Sequence, residues 1–320
     1  MAPPACASRR AVRSFTVTHS PKTESPSVGG AAGPERYKSQ SIQDLLSLRG
    51  RVTVVTGGAR GIGLALARGA AELGSDVAVL DILDKPNEAF DDLEKDLGVR
   101  AKYYRSVRHG SPTIEQLADL KWFSRTSVTD AESLSKTFEA VSTDFGRIDN
   151  CVTAAGIVCD RPFLETPRDE GMRVLEVNVM GTYLSAQLAV KQMQKQKSGG
   201  SIVMIASIAA RAAIPSQRLS VYGASKGAIR ALCRQLAVEL GPLGIRVNSI
   251  SPGYIETEMT RGLAATNPEL LSVFGSAAPL QRMGDRADLK TIAAYLLSDA
   301  AAYTTGSDVL VTGGLHAGRF

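Results

Sequence analysis

Tyr222 and Lys226 stand four residues apart in "VYGASKGAIRALCRQLAVEL" (221–240), a spacing that puts them one turn apart on a single helix face. A phenol with an ordinary pKa of about 10 is a poor acid–base catalyst at neutral pH. A lysine ammonium one turn away would stabilise the phenolate and lower that value. Ser207 closes the apolar run "SIVMIAS" (201–207). A hydroxyl there can donate to a carbonyl oxygen while negative charge develops on it. Taken singly, the Tyr–Lys pair is equally an exposed surface pair, and Ser207 a turn residue at a strand end. Chemistry follows only if the surrounding elements bring the three together.

A glycine-rich turn supplies a reason to bring them together. "VTGGARGIGLALA" (55–67) places Gly57, Gly61 and Gly63, with Ile62 between the last two, after a β-branched run and before an Ala/Leu-rich helical one. Glycines in that context let backbone N–H groups approach a pyrophosphate at the helix N-terminus, and Asp81 ends the next strand 18 residues after Gly63. The expected ligand is a dinucleotide. A carboxylate at position 81 can accept both ribose hydroxyls of NAD and would repel a 2′-phosphate. Arg60 pulls the other way if its guanidinium pairs with that phosphate, or it is simply a solvated loop residue. NAD is the expected cofactor, with NADP left open. A cationic nicotinamide near Tyr222 would add to the effect of Lys226.

The elements that must hold these groups are regular from Arg51 onward. Apolar runs at 51–57, 76–81, 101–105, 148–156, 201–207, 245–251 and 308–314 read as strands, and helical stretches at 64–74, 132–145, 170–195, 221–240 and 287–297 separate most of them. Continuous apolar strands alternating with amphipathic helices predict an α/β fold with a doubly wound parallel sheet, the Rossmann arrangement, in a single domain. The chain has 320 residues, 44% of them hydrophobic, and a net charge of +5 that leans on its N-terminal end. Basic and acidic residues are otherwise interspersed, so no basic face argues for nucleic acid. No apolar run reaches the roughly 18 residues of a membrane span. Cys6, Cys151, Cys159 and Cys233 form no CxxC pair and sit near no histidine cluster, which predicts free thiols and no metal.

Together, TGGARGIG (56–63), Ser207, YGASK (222–226) and RVNSISPGYIETEM (246–259) resemble the short-chain dehydrogenase/reductase family over about residues 48 to 314. The resemblance implies hydride exchange between a nicotinamide and a CH–OH carbon. Tyr222 would be the general acid/base, Lys226 its activator and a ribose ligand, and Ser207 the donor to the substrate oxygen. Asn178, in "LEVNVMGTY" (175–183), matches the asparagine that holds a water in a proton relay. Pro252, Gly253 and Ile255 match the loop beside the nicotinamide, with Thr257 placed to bond its carboxamide. Two positions depart from the family pattern: the Asn-Ala-Gly motif appears as Thr153-Ala154-Ala155-Gly156, and an adenine-contacting Asp is replaced by Ser127.

"SIVMIASIAARAAIPSQRLSVYGASKGA" (201–228) and "AAGIVCDRPFLE" (154–165) look most like the fungal polyol branch of that family, around D-arabinitol 2-dehydrogenase and L-xylulose reductase. Ser216, Gln217 and Arg218 near the site entrance suit a polyhydroxylated substrate, or form a solvated loop. The segment 254–285 is expected to cover the substrate, and its Leu271, Val273 and Phe274 would also suit an apolar ketone, as in 3-oxoacyl or secondary-metabolite reductases. A non-catalytic dinucleotide-binding scaffold is the reading from a different class. The resemblance implies a homotetramer, or a homodimer, through the helices at 170–195 and 221–240, where Ala186, Ala189, Ala228 and Ala231 permit close packing against a partner or against the sheet.

Two segments do not fit this pattern. Residues 1–47 read as a disordered extension: Arg9, Arg10, Arg13 and Lys22 precede the first acid, Glu24, as in a mitochondrial transit peptide or an ordinary cytosolic tail. Localisation, mitochondrial or cytoplasmic, stays open. Residues 106–125 read as an insert between the third strand and the turn before the next helix. Lys121, Trp122 and Arg125 could cover an adenine, the stretch could be a neutral loop, or it could be translated intron, since Val107-Arg108, Ala118-Asp119 and Ser124-Arg125 can be encoded by splice-donor, branch-point and acceptor sequences.

Overall fold

The computed structural model describes residues 36–105, 127–214, 217–266 and 269–317. The insert at 106–125, Ser216, Cys6 and the basic residues that precede Glu24 therefore lie outside the described residues. Ordered structure begins before Leu48, however. After α1 (Arg36–Ser39), α2 (Ile42–Leu46) is closed by a capping box, in which the Asp44 amide donates to Ser41 Oγ at 3.1 Å and the Ser41 amide donates back to Asp44 Oδ2 at 3.4 Å. This corrects the reading of disorder up to residue 47 for its last stretch.

From there strands and helices alternate: β1 (Val52–Thr56), α3 (Gly61–Glu72), β2 (Asp76–Asp81), α4 (Asp92–Leu97), β3 (Ala101–Arg105), α5 (Ala131–Phe145), β4 (Asn150–Thr153), α6 (Arg168–Leu175), α7 (Gly181–Gln196), β5 (Gly200–Ile205), α8 (Ser220–Leu240), β6 (Ile245–Pro252), α9 (Glu258–Thr266), α10 (Glu269–Ala277), α11 (Ala287–Leu297) and β7 (Asp308–Val311). The seven strands form one sheet in the order β3-β2-β1-β4-β5-β6-β7, and every pairing is parallel. A strand covered on both faces favours β-branched and apolar residues, and all five residues of β1, VTVVT, are buried, Thr53 with its hydroxyl bonded to Ser75 Oγ. Alternate residues serve opposite faces. Val54 and Ala78 join the core beneath α5, α7 and α8 with Phe138, Ala189 and Ile229, whereas Val55, Val77 and Val79 join the core beneath α3 and α11 with Leu66, Ala70 and Leu296.

The helix expected over 170–195 is two helices, α6 and α7, joined by a π turn at Glu176–Met180 that contains Asn178. The segment expected to cover the substrate folds into α9 and α10. Helix α4 was not anticipated: its six residues give too short a window for a period to show, although Asp92 and Glu94 in the first turn and Gly98 at the stop mark its ends.

Candidate active site

Strand order reverses between β1 and β4, and in open parallel sheets the crevice at the C-terminal ends of such strands receives the ligand. Here the turns after β1 and β4 touch. Gly57 has φ +70°, and a Cβ on it would lie 2.5 Å from Ala155 Cα. A Cβ on Gly63 would lie 2.1 Å from the Gly57 carbonyl oxygen. Both positions require glycine for contact, and Gly61, at φ +57°, requires it for conformation. Arg60 occupies the N-cap of α3 without a side-chain capping bond, which leaves the first-turn amides of this helix available to a ligand. These bare amides and the glycine cradle fit a dinucleotide pyrophosphate.

Asp81 accepts from three backbone amides: Ala59 N to Oδ2 at 3.0 Å, and Ile82 N and Leu83 N to Oδ1 at 2.7 and 3.2 Å. A carboxylate has about four in-plane acceptor positions, so one on Oδ2 is left for a ribose hydroxyl.

A cavity of about 360 Å³ runs from this cradle to the tyrosine. Gly57, Arg60, Gly61, Ile62, Gly63, Asp81, Ser207, Tyr222, Lys226, Pro252, Gly253, Ile255 and Thr257 all line it. Of the residues expected to be catalytic or to hold the cofactor, Asn178 alone is not part of the lining. Strand β5 ends at Ile205, and Ser207 caps the short turn Ile208–Ala210, its Oγ accepting from the Ala209 amide at 3.1 Å. The Ser207 hydroxyl works to lower the pKa of the Tyr222 phenol, but burial outweighs it and raises the phenol above its ordinary value. Lys226, 6% exposed, donates from Nζ to the Ile205 carbonyl at 2.7 Å, and burial pushes its pKa down to about 8. Its Nζ lies 5.9 Å from the centre of the Tyr222 ring.

The lowering expected from the lysine together with a cationic nicotinamide concerns the loaded site; in the protein by itself burial acts against it. Both groups are buried, each resists its own charge, and the ammonium is spent on a carbonyl, not on the phenol oxygen. The arrangement keeps a proton on Tyr222 at neutral pH.

Asn178 is fully buried and clasps the loop after β4. Its Oδ1 accepts from Ile157 N at 2.9 Å, and its Nδ2 donates to Ile157 O and to Ser225 Oγ, each at 3.0 Å. Ser225 Oγ in turn donates to the Tyr222 carbonyl at 2.7 Å. A Cβ on Gly156 would meet Asn178 Oδ1 at 3.4 Å and Lys226 Nζ at 3.5 Å, so the loop, the π turn and α8 converge on that glycine. Where the family pattern has an asparagine after β4, Thr153 leaves a buried Oγ1 with no partner among the described residues. Val128, next to the other departure, is buried and lines the cavity.

At the far end the sequence reading was incomplete. Gln217 lines the cavity, but Arg218 turns away to Asp160, with its amide at 2.9 Å and Nε at 3.3 Å from Oδ1. Tyr254 donates to Gln217 Oε1 at 3.3 Å and packs against Phe274, ring centres 4.2 Å apart. Ile157, Ile208, Ile214 and Met259 complete a mainly apolar wall. Tyr254 follows Pro252-Gly253 directly, the one signal that could have found it. The described cysteines, Cys151, Cys159 and Cys233, are free and buried as expected.

A glycine cradle at the switch point of a doubly wound sheet, continuous with a Ser–Tyr–Lys group, defines a dinucleotide-dependent oxidoreductase. The family model described as Enoyl-(Acyl carrier protein) reductase matches residues 57–316. A probable NADP-dependent mannitol dehydrogenase of Yarrowia lipolytica is 33% identical over 86% of this chain and 91% of its own length. An NADH-dependent L-xylulose reductase of Ambrosiozyma monospora is 32% identical over 83% and 94%. A short-chain type dehydrogenase/reductase from Mycobacterium marinum superposes with a TM-score of 0.77 at 33% identity, over 87% of this chain and all of that one. The chain belongs to the short-chain dehydrogenase/reductase family. It is an NAD(P)-dependent oxidoreductase acting on CH–OH groups.

Proposed function

We propose that the protein catalyses reversible oxidation of a secondary hydroxyl on a sugar alcohol, D-arabinitol or a related pentitol or hexitol. The observation that carries this reading is the single cavity in which Ser207, Tyr222 and Lys226 meet the glycine cradle, with Gln217 and Tyr254 at its open end. The dinucleotide, when bound, supplies the hydride acceptor. In the oxidative direction Tyr222, as the phenolate that the Lys226 ammonium and a bound cationic nicotinamide would favour, takes the proton of the substrate hydroxyl at Oη while Ser207 Oγ holds the same oxygen. Lys226 shares that pocket and carries a labile proton near neutrality, which suits it to balance the charge on Tyr222. Asn178 holds Gly156 and α8 in place around it. In the reverse direction Tyr222 Oη gives its proton to the developing alkoxide, a role its retained proton suits. Relatives named for mannitol and for L-xylulose support a polyol, and Gln217 and Tyr254 place polar atoms on the cavity wall that a substrate hydroxyl can engage. Of the two cofactors, Asp81 favours NAD, because its free acceptor position meets a ribose hydroxyl and its charge opposes a 2′-phosphate.

A second reading, a more apolar ketone, is favoured by Ile157, Ile208, Ile214, Met259 and Phe274 on the substrate wall. A panel of pentitols, hexitols, an aromatic ketone and a β-keto thioester, each run with both cofactors and followed by nicotinamide absorbance, separates the two. The polyol reading expects turnover of at least one polyol, faster with NAD, and its loss in Tyr222→Phe. Turnover confined to the ketone or thioester overturns it. Cofactor binding with no turnover of any compound points to a scaffold.

A further inference from the structure

At the edge of the sheet, away from the cavity, one carboxylate gathers four donors from three elements. Asp308 opens β7, and its side chain is only 9% exposed. Its Oδ1 accepts from Ser249 Oγ at 2.8 Å and Ser251 Oγ at 2.7 Å, both on β6. Its Oδ2 accepts from Arg211 Nε at 2.9 Å and Arg230 Nε at 2.8 Å. The four acceptor positions are thus filled.

The donors connect to the active-site groups. Arg230 lies one turn beyond Lys226 and two beyond Tyr222 on α8, and its Nη1 also donates to the Ala210 carbonyl at 3.0 Å. Ala210 and Arg211 form the end of the short turn that Ser207 caps, and the Ala210 amide donates back to Ser207 O at 3.0 Å. Helix and turn are close enough that a Cβ on Gly223 would lie 3.0 Å from the Ala209 carbonyl oxygen. Ser251 immediately precedes Pro252 and Gly253 on the cavity wall. The turn that carries Ser207 is short; buried Ile208 anchors it, and the two guanidinium groups tie its far end to α8 and β7.

We propose that Asp308, through Arg211 and Arg230, is a positioning residue that holds Ser207 in register with Tyr222. The inference rests on the reading of Ser207 and Tyr222 as reacting groups. Burial of Asp308 raises its carboxyl pKa, but the bonds from Ser251, Ser249 and Arg211 and the charge of Arg230 outweigh this and lower it, so the clamp stays charged at neutral pH.

The test uses full-length protein and whichever alcohol or ketone the wild type turns over. Asp308→Asn, and the milder Arg211→Gln should the first fail to fold, are expected to lower kcat by about 100-fold with KM for the dinucleotide little changed. In a Ser207→Ala background the same changes should cost about threefold or less, because the group they position is gone. Full additivity of the two losses overturns the proposal, as does an unchanged kcat. Hydrogen exchange gives a reading independent of turnover. Amides of 208–212 should exchange faster in the variants while those of β1 and β2 keep wild-type rates. Uniform acceleration throughout, or none at 208–212, overturns the clamp. Wild type and Tyr222→Phe, run alongside, test the underlying reading separately: a wild type that turns over nothing defeats that reading, while the exchange pattern still decides whether the clamp exists.

Discussion

Lys226 is where stability and function oppose each other in this protein. A buried lysine whose pKa falls from 10.5 to about 8 is charged at neutral pH at a cost, since burial disfavours its ammonium form. Between those two values the unfolded chain holds a proton that the folded chain has released. The unfolded state binds more protons there, so stability must rise with pH across that window, and below about 8 the penalty is present in full. Lys226→Met removes the titration. Measured by urea unfolding, the wild type should gain on this variant by up to about 3 kcal/mol from the lower to the higher pH, whatever the fixed cost of losing the bond to Ile205 O. A difference that does not change with pH would show that burial does not govern this lysine. The variant should have no measurable turnover, and that loss identifies what the buried charge is kept for.

At the scale of elements, the glycine turn and α3 make a site that depends on backbone contact. Gly63→Ala would place a Cβ 2.1 Å from the Gly57 carbonyl, a clash with main chain that no rotamer relieves. Calorimetric titration should show dinucleotide affinity reduced at least about tenfold, as the turn must open to admit the methyl group. Gly227→Ala, in the middle of α8 with nothing within 4 Å of the added Cβ, is the matched control. It should stabilise the protein by about 0.5–1 kcal/mol and leave affinity unchanged. This contrast also shows what could be read beforehand. The inner strands were legible because burial on both faces favours apolar and β-branched runs, and the glycine cradle because strand, turn and helix follow in order. The burial that raises the Tyr222 pKa was not legible, because spacing alone reveals neither burial nor the carbonyl that accepts the Lys226 hydrogen bond. Nor was the outward turn of Arg218, which is decided by Asp160 58 residues away. Helices α9 and α10 stayed hidden for a local reason: Met259 and Phe274 face the cavity and not the sheet.

At the scale of the molecule, α6, α7 and α8 carry apolar residues on faces turned to solvent. Ala186 and Ala189 of α7, which would have suited a close helix contact, are buried in the sheet core, so they are used within the chain. Exposed instead are Met172, Met180 and Tyr183, at 39%, 41% and 40%, on one side of α6–α7, and Val238 of α8 at 79%. On α8 the exposed Ala224, Ala231 and Val238 repeat every seven residues, which sets them along a single stripe. A stripe with small side chains at its start and middle lets a second helix approach closely, and covering it would remove the largest of these exposures from water. A second copy of the chain is the occupant proposed for these faces, consistent with the dimer or tetramer that the family resemblance implies. Light scattering of the full-length protein should give a mass of two or four chains. Val238→Asp combined with Tyr183→Asp should reduce that mass at least twofold while the far-ultraviolet circular dichroism stays the same, because neither side chain contributes to the core. A wild type that scatters as one chain, or an assembly untouched by the double change, places any partner elsewhere and leaves these faces as surface.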